Sequence, residues 1–253
     1  MNMNIKKISS ILVCAVAGSA TGVVSCADSD MFCITAFGHY AVSLELDNTE
    51  GDCENAPVNL AELAGEQFYL ETYADEGDDQ QPDWSQGNVV IKGLIMGQYH
   101  LTATRQGVEH DAKQATSFGK FTTSTPDNNG VCALEFSRDA ELNLEELPAE
   151  PDNGETGDDA PFPGQPAIDM TVAWSNTQFY VTPDVQGYMM TANLDMELNG
   201  CRASYSATGL YPQVSCETDD DCGAGSGINP SIDAKCDVEA GWCTLANGLA
   251  SAN

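Results

Sequence analysis

Met190-Thr191-Ala192-Asn193-Leu194-Asp195-Met196-Glu197-Leu198-Asn199-Gly200-Cys201-Arg202-Ala203-Ser204-Tyr205-Ser206-Ala207 decides the fold. On the first arm Met190, Ala192, Leu194, Met196 and Leu198 alternate with polar residues. On the second, Cys201, Ala203, Tyr205 and Ala207 do the same. Such alternation marks a strand with one buried face. Asn199-Gly200 between the arms marks a two-residue hairpin, because both turn positions need positive φ. The register checks itself. A two-residue turn sets Leu198 against Cys201, Met196 against Ala203 and Leu194 against Tyr205 on one face, and Glu197 against Arg202 on the other. Apolar then meets apolar, and opposite charges meet.

Working outward, the same signals recur. Met170, Val172 and Trp174 predict a strand before the hairpin, and Phe179–Val181 another. In the N-terminal half Val42, Leu44 and Leu46 alternate with polar residues, and Gln67–Tyr73 is aromatic-rich. Strands are also expected over Asn88–Leu94, Gln98–Arg105, Phe121–Thr125 and Val131–Phe136, the last two flanking a Pro126–Gly130 turn cluster. Pro148–Ala167 is rich in proline, glycine and acid without apolar period, and reads as an extended linker. The expected class is all-β: an antiparallel β-sandwich over 26–147, the linker over 148–167, and a small second β-sheet with a disulfide-rich C-terminal tail over 168–249.

Residues 1–25 read as a signal peptide. Lys6 and Lys7 precede an interrupted apolar run from Ile8 to Val24 that is too short for a membrane span. Two processing sites compete. Ala15-Val16-Ala17 fits cleavage after Ala17 and secretion of a free chain. Val23-Val24-Ser25-Cys26 resembles the bacterial lipobox, which implies a Cys26 thioether carrying palmitate-type acyl chains. Acyl chains anchor with about 0.8 kcal/mol per buried CH₂. Ala27 and Asp28 are compatible with the outer-membrane sorting that this resemblance implies. The expected location is the bacterial cell envelope, as an outer-membrane lipoprotein, with secretion as the alternative.

Charge narrows the partners. Thirty-nine acids against nine bases give a net charge of −30, which repels nucleic acid and anionic headgroups. Membrane attachment must then come from lipid, and other partners are a surface protein or a glycan. Eight cysteines remain after Cys14 and Cys26: Cys33, Cys53, Cys132, Cys201, Cys216, Cys222, Cys236 and Cys243. In an exported chain they are disulfide candidates, with connectivity open. No paired Cys-x-x-Cys supports zinc. Three lie before the linker and five after it, so full oxidation demands at least one bridge across it, with Cys201 the candidate to reach back.

Two resemblances add to this. Val90-Ile91-Lys92-Gly93-Leu94-Ile95-Met96-Gly97-Gln98-Tyr99-His100-Leu101 resembles the strand-turn-strand crossing of prealbumin-like β-sandwiches of the carboxypeptidase-regulatory and Cna-B types. It implies a structural or adhesive role and no activity. Cys216-Glu217-Thr218-Asp219-Asp220-Asp221-Cys222, then Cys236 and Gly241-Trp242-Cys243, resembles the C-terminal cysteine module of lipoproteins from myxobacteria and related deltaproteobacteria. That resemblance spans about 186–247, supports the lipobox and implies no activity.

No catalytic residue is assigned. The histidines are His39, His100 and His110. Glu109-His110-Asp111 holds acid-base residue types, yet no nucleophile signature accompanies it, and a loop histidine is the expectation. Gly-x-Ser-x-Gly and His-Glu-x-x-His are absent. An EF-hand frame starting at Asp152 puts Gly154 and Pro163 where carboxylates belong, so no metal site or cofactor is expected beyond weak calcium binding. Trp84 is the tryptophan expected to be exposed as a stacking platform; Trp174 and Trp242 are expected in packing. The reading is a non-enzymatic, lipid-anchored envelope protein with a binding or structural role. The alternative is a secreted or anchored hydrolase with an unrecognised site.

Overall fold

A computed structural model describes residues 31–246 except 79, 112 and 152–160, and of 84–86 the backbone alone. Its strands are β1 (Gly38–Glu50), β2 (Gly65–Glu76), β3 (Pro82–Gly93), β4 (Ser117–Phe121), β5 (Val131–Arg138), β6 (Ala140–Leu144), β7 (Ile168–Val181), β8 (Gln186–Leu198), β9 (Cys201–Leu210), β10 (Ala234–Asp237) and β11 (Trp242–Leu245). One helix, α1 (Leu94–Arg105), joins β3 to β4.

The hairpin forms as read. Leu198 faces Cys201, Glu197 faces Arg202 and Leu194 faces Tyr205. Asn199 and Gly200 take φ of 51° and 83°, the left-handed pair that a type I′ turn requires. Arg202 Nε lies 2.8 Å from a Glu197 carboxylate oxygen on the exposed face. The turn is held from outside as well: Asn199 Nδ2 donates to the Ala167 carbonyl at 2.8 Å, and its Oδ1 accepts from Asp169 N at 2.7 Å.

The strands pair antiparallel in the order β5-β4-β3-β2-β1-β9-β8-β7-β6, and β5 also pairs with β7. β5 and β6 both face β7, Val131–Ala133 opposite Tyr180–Gln178 and Ala140–Leu144 opposite Val172–Ile168, with the register shifted by one residue between the two stretches. They act as one long strand, and the sheet closes into an up-and-down ring of eight walls. The two layers expected of a sandwich are here opposite walls of one closed sheet. Eight strands give an interior that side chains can just fill. Tyr40, Phe68, Ile91, Phe179, Met190, Leu194 and Tyr205 are among the fully buried residues doing so, each contributing about 1.5–3 kcal/mol of burial.

Residues 148–167 therefore do not separate two sheets, and the expected division into a sandwich over 26–147 and a small β domain over 168–249 is corrected. β1 pairs with β9 from Ala41–Leu210 to Glu50–Arg202, and β6 pairs with β7. The reason lies in the edges: β1 and β9 each have one edge left open by their hairpin partners, and pairing satisfies both rows of backbone groups. The small second sheet is β10–β11 in the tail. Phe179–Val181 is not a separate strand either. It continues β7 past a bulge at Ser175–Gln178, where Asn176 has φ of 50°.

The largest departure is α1. Gln98–Arg105 was expected as a strand because Tyr99, Leu101 and Ala103 alternate with polar residues. Instead the chain from Leu94 is helical, with Met96 and Ala103 buried and Tyr99 packed against the core. Those three follow a spacing of three and four, one helix face. Leu101, which a strand would bury, is 46% exposed. The Gly93–Gly97 phrase is thus a helix start and not a prealbumin-type crossing. β4 also begins earlier than expected, so Phe121 ends a strand and does not open one.

Both ends of the ring are covered. α1 and the β1–β2 connection lie at one end, where the Tyr205 hydroxyl donates to the Leu60 carbonyl. At the other, a short 3₁₀ turn at Cys33–Thr35 carries Ala36 beneath Gly187, and the Tyr40 hydroxyl donates to the Gly187 carbonyl. The tail docks outside, and Trp242 occupies the space that a side chain at Gly65 would take.

Candidate functional site

An apolar-lined hollow on the outer surface lies between α1 and the β1–β3 wall. Alternation places it there. His39, Gln67, Tyr69 and Lys92 are the outward residues beside inward Tyr40, Phe68 and Ile91. His39 sits opposite Tyr69 in the β1–β2 register, with ring centroids 4.8 Å apart. α1 adds Leu94, Gly97, Gln98, His100 and Leu101. The hollow measures about 470 Å³, within the range of small-molecule clefts.

Gly93 lets α1 start close to β2, and Gly97 lies beside Lys92. A Cβ at Gly97 would lie 3.5 Å from Lys92 Cε, so the lysine stem rests along the helix. A Cβ at Gly93 would lie 2.6 Å from Glu66 Oε1. Gly93 brings no side chain to cap α1. Glu66 does so from β2: its Oε1 accepts from Ile95 N at 2.8 Å, meeting one of the free amides at the helix start. Glu66 is 4% exposed, and its Oε2 has no hydrogen-bond partner among the described atoms. Burial pushes its carboxyl up to about 8, against the backbone amides of Ile95 and Leu94, which favour the anion.

The three histidines converge here. His100 lines this hollow and a neighbouring one formed with Thr104, Val108, Glu109 and His110. His110 Nδ1 is 2.9 Å from the Val108 carbonyl, and His110 Nε2 is 2.7 Å from His100 Nδ1. A carbonyl only accepts, so His110 carries its proton on Nδ1 and accepts at Nε2. His100 therefore donates from Nδ1 and keeps Nε2 for another partner. Burial, then Lys92, then His110 hold the His100 pKa below the usual histidine value. Burial likewise lowers that of Lys92. The Glu109-His110-Asp111 run does not assemble an acid-base pair. His110 bonds to a carbonyl and to His100, while Asp111 Oδ1 accepts from Lys113 N at 3.0 Å.

The cysteine candidates all pair: Cys33–Cys132, Cys53–Cys201, Cys216–Cys236 and Cys222–Cys243. Cys53–Cys201 is the one that crosses residues 148–167. Cys216, Cys222 and Cys243 come close enough to suggest a metal cluster, but their sulfurs are spent in bridges and offer no thiolate. Acidic residues serve the backbone. Asp127 Oδ1 accepts from Asn129 N and Val131 N, Asp219 from Cys236 N, and Asp221 from Glu217 N and Thr218 N. Trp174 is in the core, edge-on to Phe68. Cys26, Asp152 and the Trp84 side chain lie outside the described residues.

Sequence reasoning missed the hollow because it read α1 as a strand. The signal was present in the helical spacing of Met96, Tyr99 and Ala103. No sequence signal points to His39 and His100 lining one hollow, which depends on the β1–β2 register.

A family model described as MlpA matches residues 38–212. The chain belongs to the MlpA family. The matched span starts with β1 and ends just after β9, so the MlpA unit is the closed sheet with α1 and its hollow. The cysteine motif from Cys216 to Cys243, which resembles the myxobacterial lipoprotein module, falls outside it. A Myxococcus xanthus protein named "Putative lipoprotein MlpA" is 29% identical over 88 residues. That stretch covers 31% of this chain and 37% of the relative, so the chain spans well under two thirds of the relative's length. No solved structure matches this MlpA-family chain.

Proposed function

We propose that this protein is an exported lipoprotein, anchored through acylated Cys26 to the outer membrane, that binds a partner on the outside of its barrel and catalyses no reaction. The filled interior carries this reading. Tyr40, Phe68, Phe179, Met190, Leu194 and Tyr205 are buried inside the ring, so binding falls to the outer surface, where the hollow beside α1 lies. The resemblance to a named lipoprotein supports the anchor. The histidine pair supplies a proton acceptor, yet its hydrogen bonds run to a carbonyl and to its own partner, with no nucleophile in the chain of contacts.

The anchor is tested by replacing Cys26 with serine in the native host. The variant is expected to leave the membrane fraction and appear in the soluble envelope or medium, because no helix among the described residues is long and apolar enough to cross a membrane. Retention of the variant on the membrane would count against the lipid anchor.

A further inference from the structure

Lys92 stands apart from the other cations. Lys120 pairs with Asp75 at 3.1 Å and Arg202 with Glu197 at 2.8 Å. Arg105, Lys113, Arg138 and Lys235 are exposed. Lys92 is half-buried, and among the described residues no carboxylate pairs with it. In a chain of net charge −30, a partly desolvated ammonium without an acid beside it is uncommon. Two more groups able to carry positive charge, His39 and His100, line the same hollow.

The rest of the lining is apolar and open. Tyr69 is 43% exposed, Leu94 44% and Leu101 46%. Leu94 and Leu101 are two helical turns apart on one face of α1. A cationic spot beside an unfilled apolar surface has one complement in small-molecule chemistry: an anion that carries a hydrocarbon. The surrounding acidic surface works against larger anionic partners such as nucleic acid or an anionic bilayer. The floor of the site is fixed by the Glu66 cap on α1 and by the Lys92 stem on Gly97.

We propose that the hollow between α1 and the β1–β3 wall binds a free amphiphilic anion, an alkyl or aryl carboxylate, with its acid group at Lys92 and its hydrocarbon along Tyr69, Leu94 and Leu101. His39 and His100 Nε2 flank the acid group as further donors when protonated. This deepens the binding reading above and does not depend on the anchor.

The test uses the full chain carrying Cys26→Ser, so that acyl chains and detergent do not compete. Decanoate, below its micelle concentration, is titrated by calorimetry. Saturable binding at one site is expected, with Lys92→Gln weakening it about tenfold. Leu101→Glu is expected to abolish it by setting a carboxylate in the apolar part. Leu101 is exposed and Lys92 is half-buried on the outer face of β3, and unchanged melting would show that the variants fold; Leu94→Gln is the second apolar variant should Leu101→Glu melt early. Decanol is expected to bind at least tenfold more weakly than decanoate. Absence of decanoate binding, or equal binding of decanol, or an unaffected Lys92→Gln, overturns the proposal. p-Nitrophenyl decanoate is tested in parallel. Absence of nitrophenolate release supports the non-catalytic reading, and the site is judged by decanoate alone. Release that the His100→Asn variant loses would overturn the non-catalytic reading while leaving the decanoate result to judge the site.

Discussion

Replacing Cys53 and Cys201 together by alanine is expected to cost more stability than any other single disulfide removal. The bridge closes a sequence separation of 148 residues, for which chain entropy gives about 5 kcal/mol. Cys216–Cys236 and Cys222–Cys243 close separations of 20 and 21, worth about 3 kcal/mol each on the same basis. Position adds to length. Cys201 follows the Asn199-Gly200 turn, and Cys53 follows the end of β1, so the bridge ties together the pair of strands that joins the early and late halves. For a chain of this size about 5 kcal/mol corresponds to roughly 10–20 °C in melting temperature. Differential scanning calorimetry of the double variant is expected to show a fall of that order. The Cys216→Ala, Cys236→Ala pair is expected to lose less and to keep the barrel. A melt of the Cys53, Cys201 variant within a few degrees of the parent would mean that β1–β9 pairing needs no covalent tie.

The second large effect is a pH dependence carried by one residue. Glu66 is raised by burial from 4.5 to about 8. Between those values the folded protein holds a proton that the unfolded chain has released. Stability is therefore greatest below about 4.5 as far as this group is concerned. It falls as pH rises towards 8, and levels off above that. The loss across the window is of the order of a few kcal/mol. Glu66→Gln keeps an oxygen to accept from Ile95 N and removes the charge. In urea unfolding followed from pH 5 to 8.5, the parent midpoint is expected to drop with pH relative to the variant, leaving Glu66→Gln clearly the more stable at pH 8.5. Parallel curves for the two proteins would show that Glu66 is ionised at no cost and that the cap on α1 does not depend on its neutral form.

Much of the fold was legible because it rests on local pattern. The β8–β9 hairpin follows from alternation plus Asn199-Gly200, down to the Glu197–Arg202 pair. β1, β2, β3, β5 and the start of β7 show in the same way. What did not show is where the hairpins join. Pairing of β1 with β9 is a long-range event, and neither strand carries a mark for its second neighbour. Asp47–Glu50 lie beyond the apolar alternation of Val42, Leu44 and Leu46, yet they extend β1 because β9 offers pairing out to Arg202. The proline- and acid-rich stretch read as a domain break although the strands on either side of it, β6 and β7, lie side by side. α1 was hidden by a coincidence of pattern: Tyr99, Leu101 and Ala103 satisfy period two while Met96, Tyr99 and Ala103 satisfy the helical period, and burial chose the second. The hollow inherits that difficulty. Lys92, Leu94 and Leu101 become neighbours of Tyr69 and His39 only once Leu94 starts a helix.

The functional reading stands on an exported, acylated, fully oxidised barrel, and the mass of the mature protein from native envelopes tests that most directly. Measured intact and after reduction, the chain is expected to begin at Cys26, to carry acyl mass, and to gain two hydrogens for each of its four bridges. A chain beginning at Gly18 without acyl mass would contradict the anchor and put a ninth cysteine into the oxidised protein.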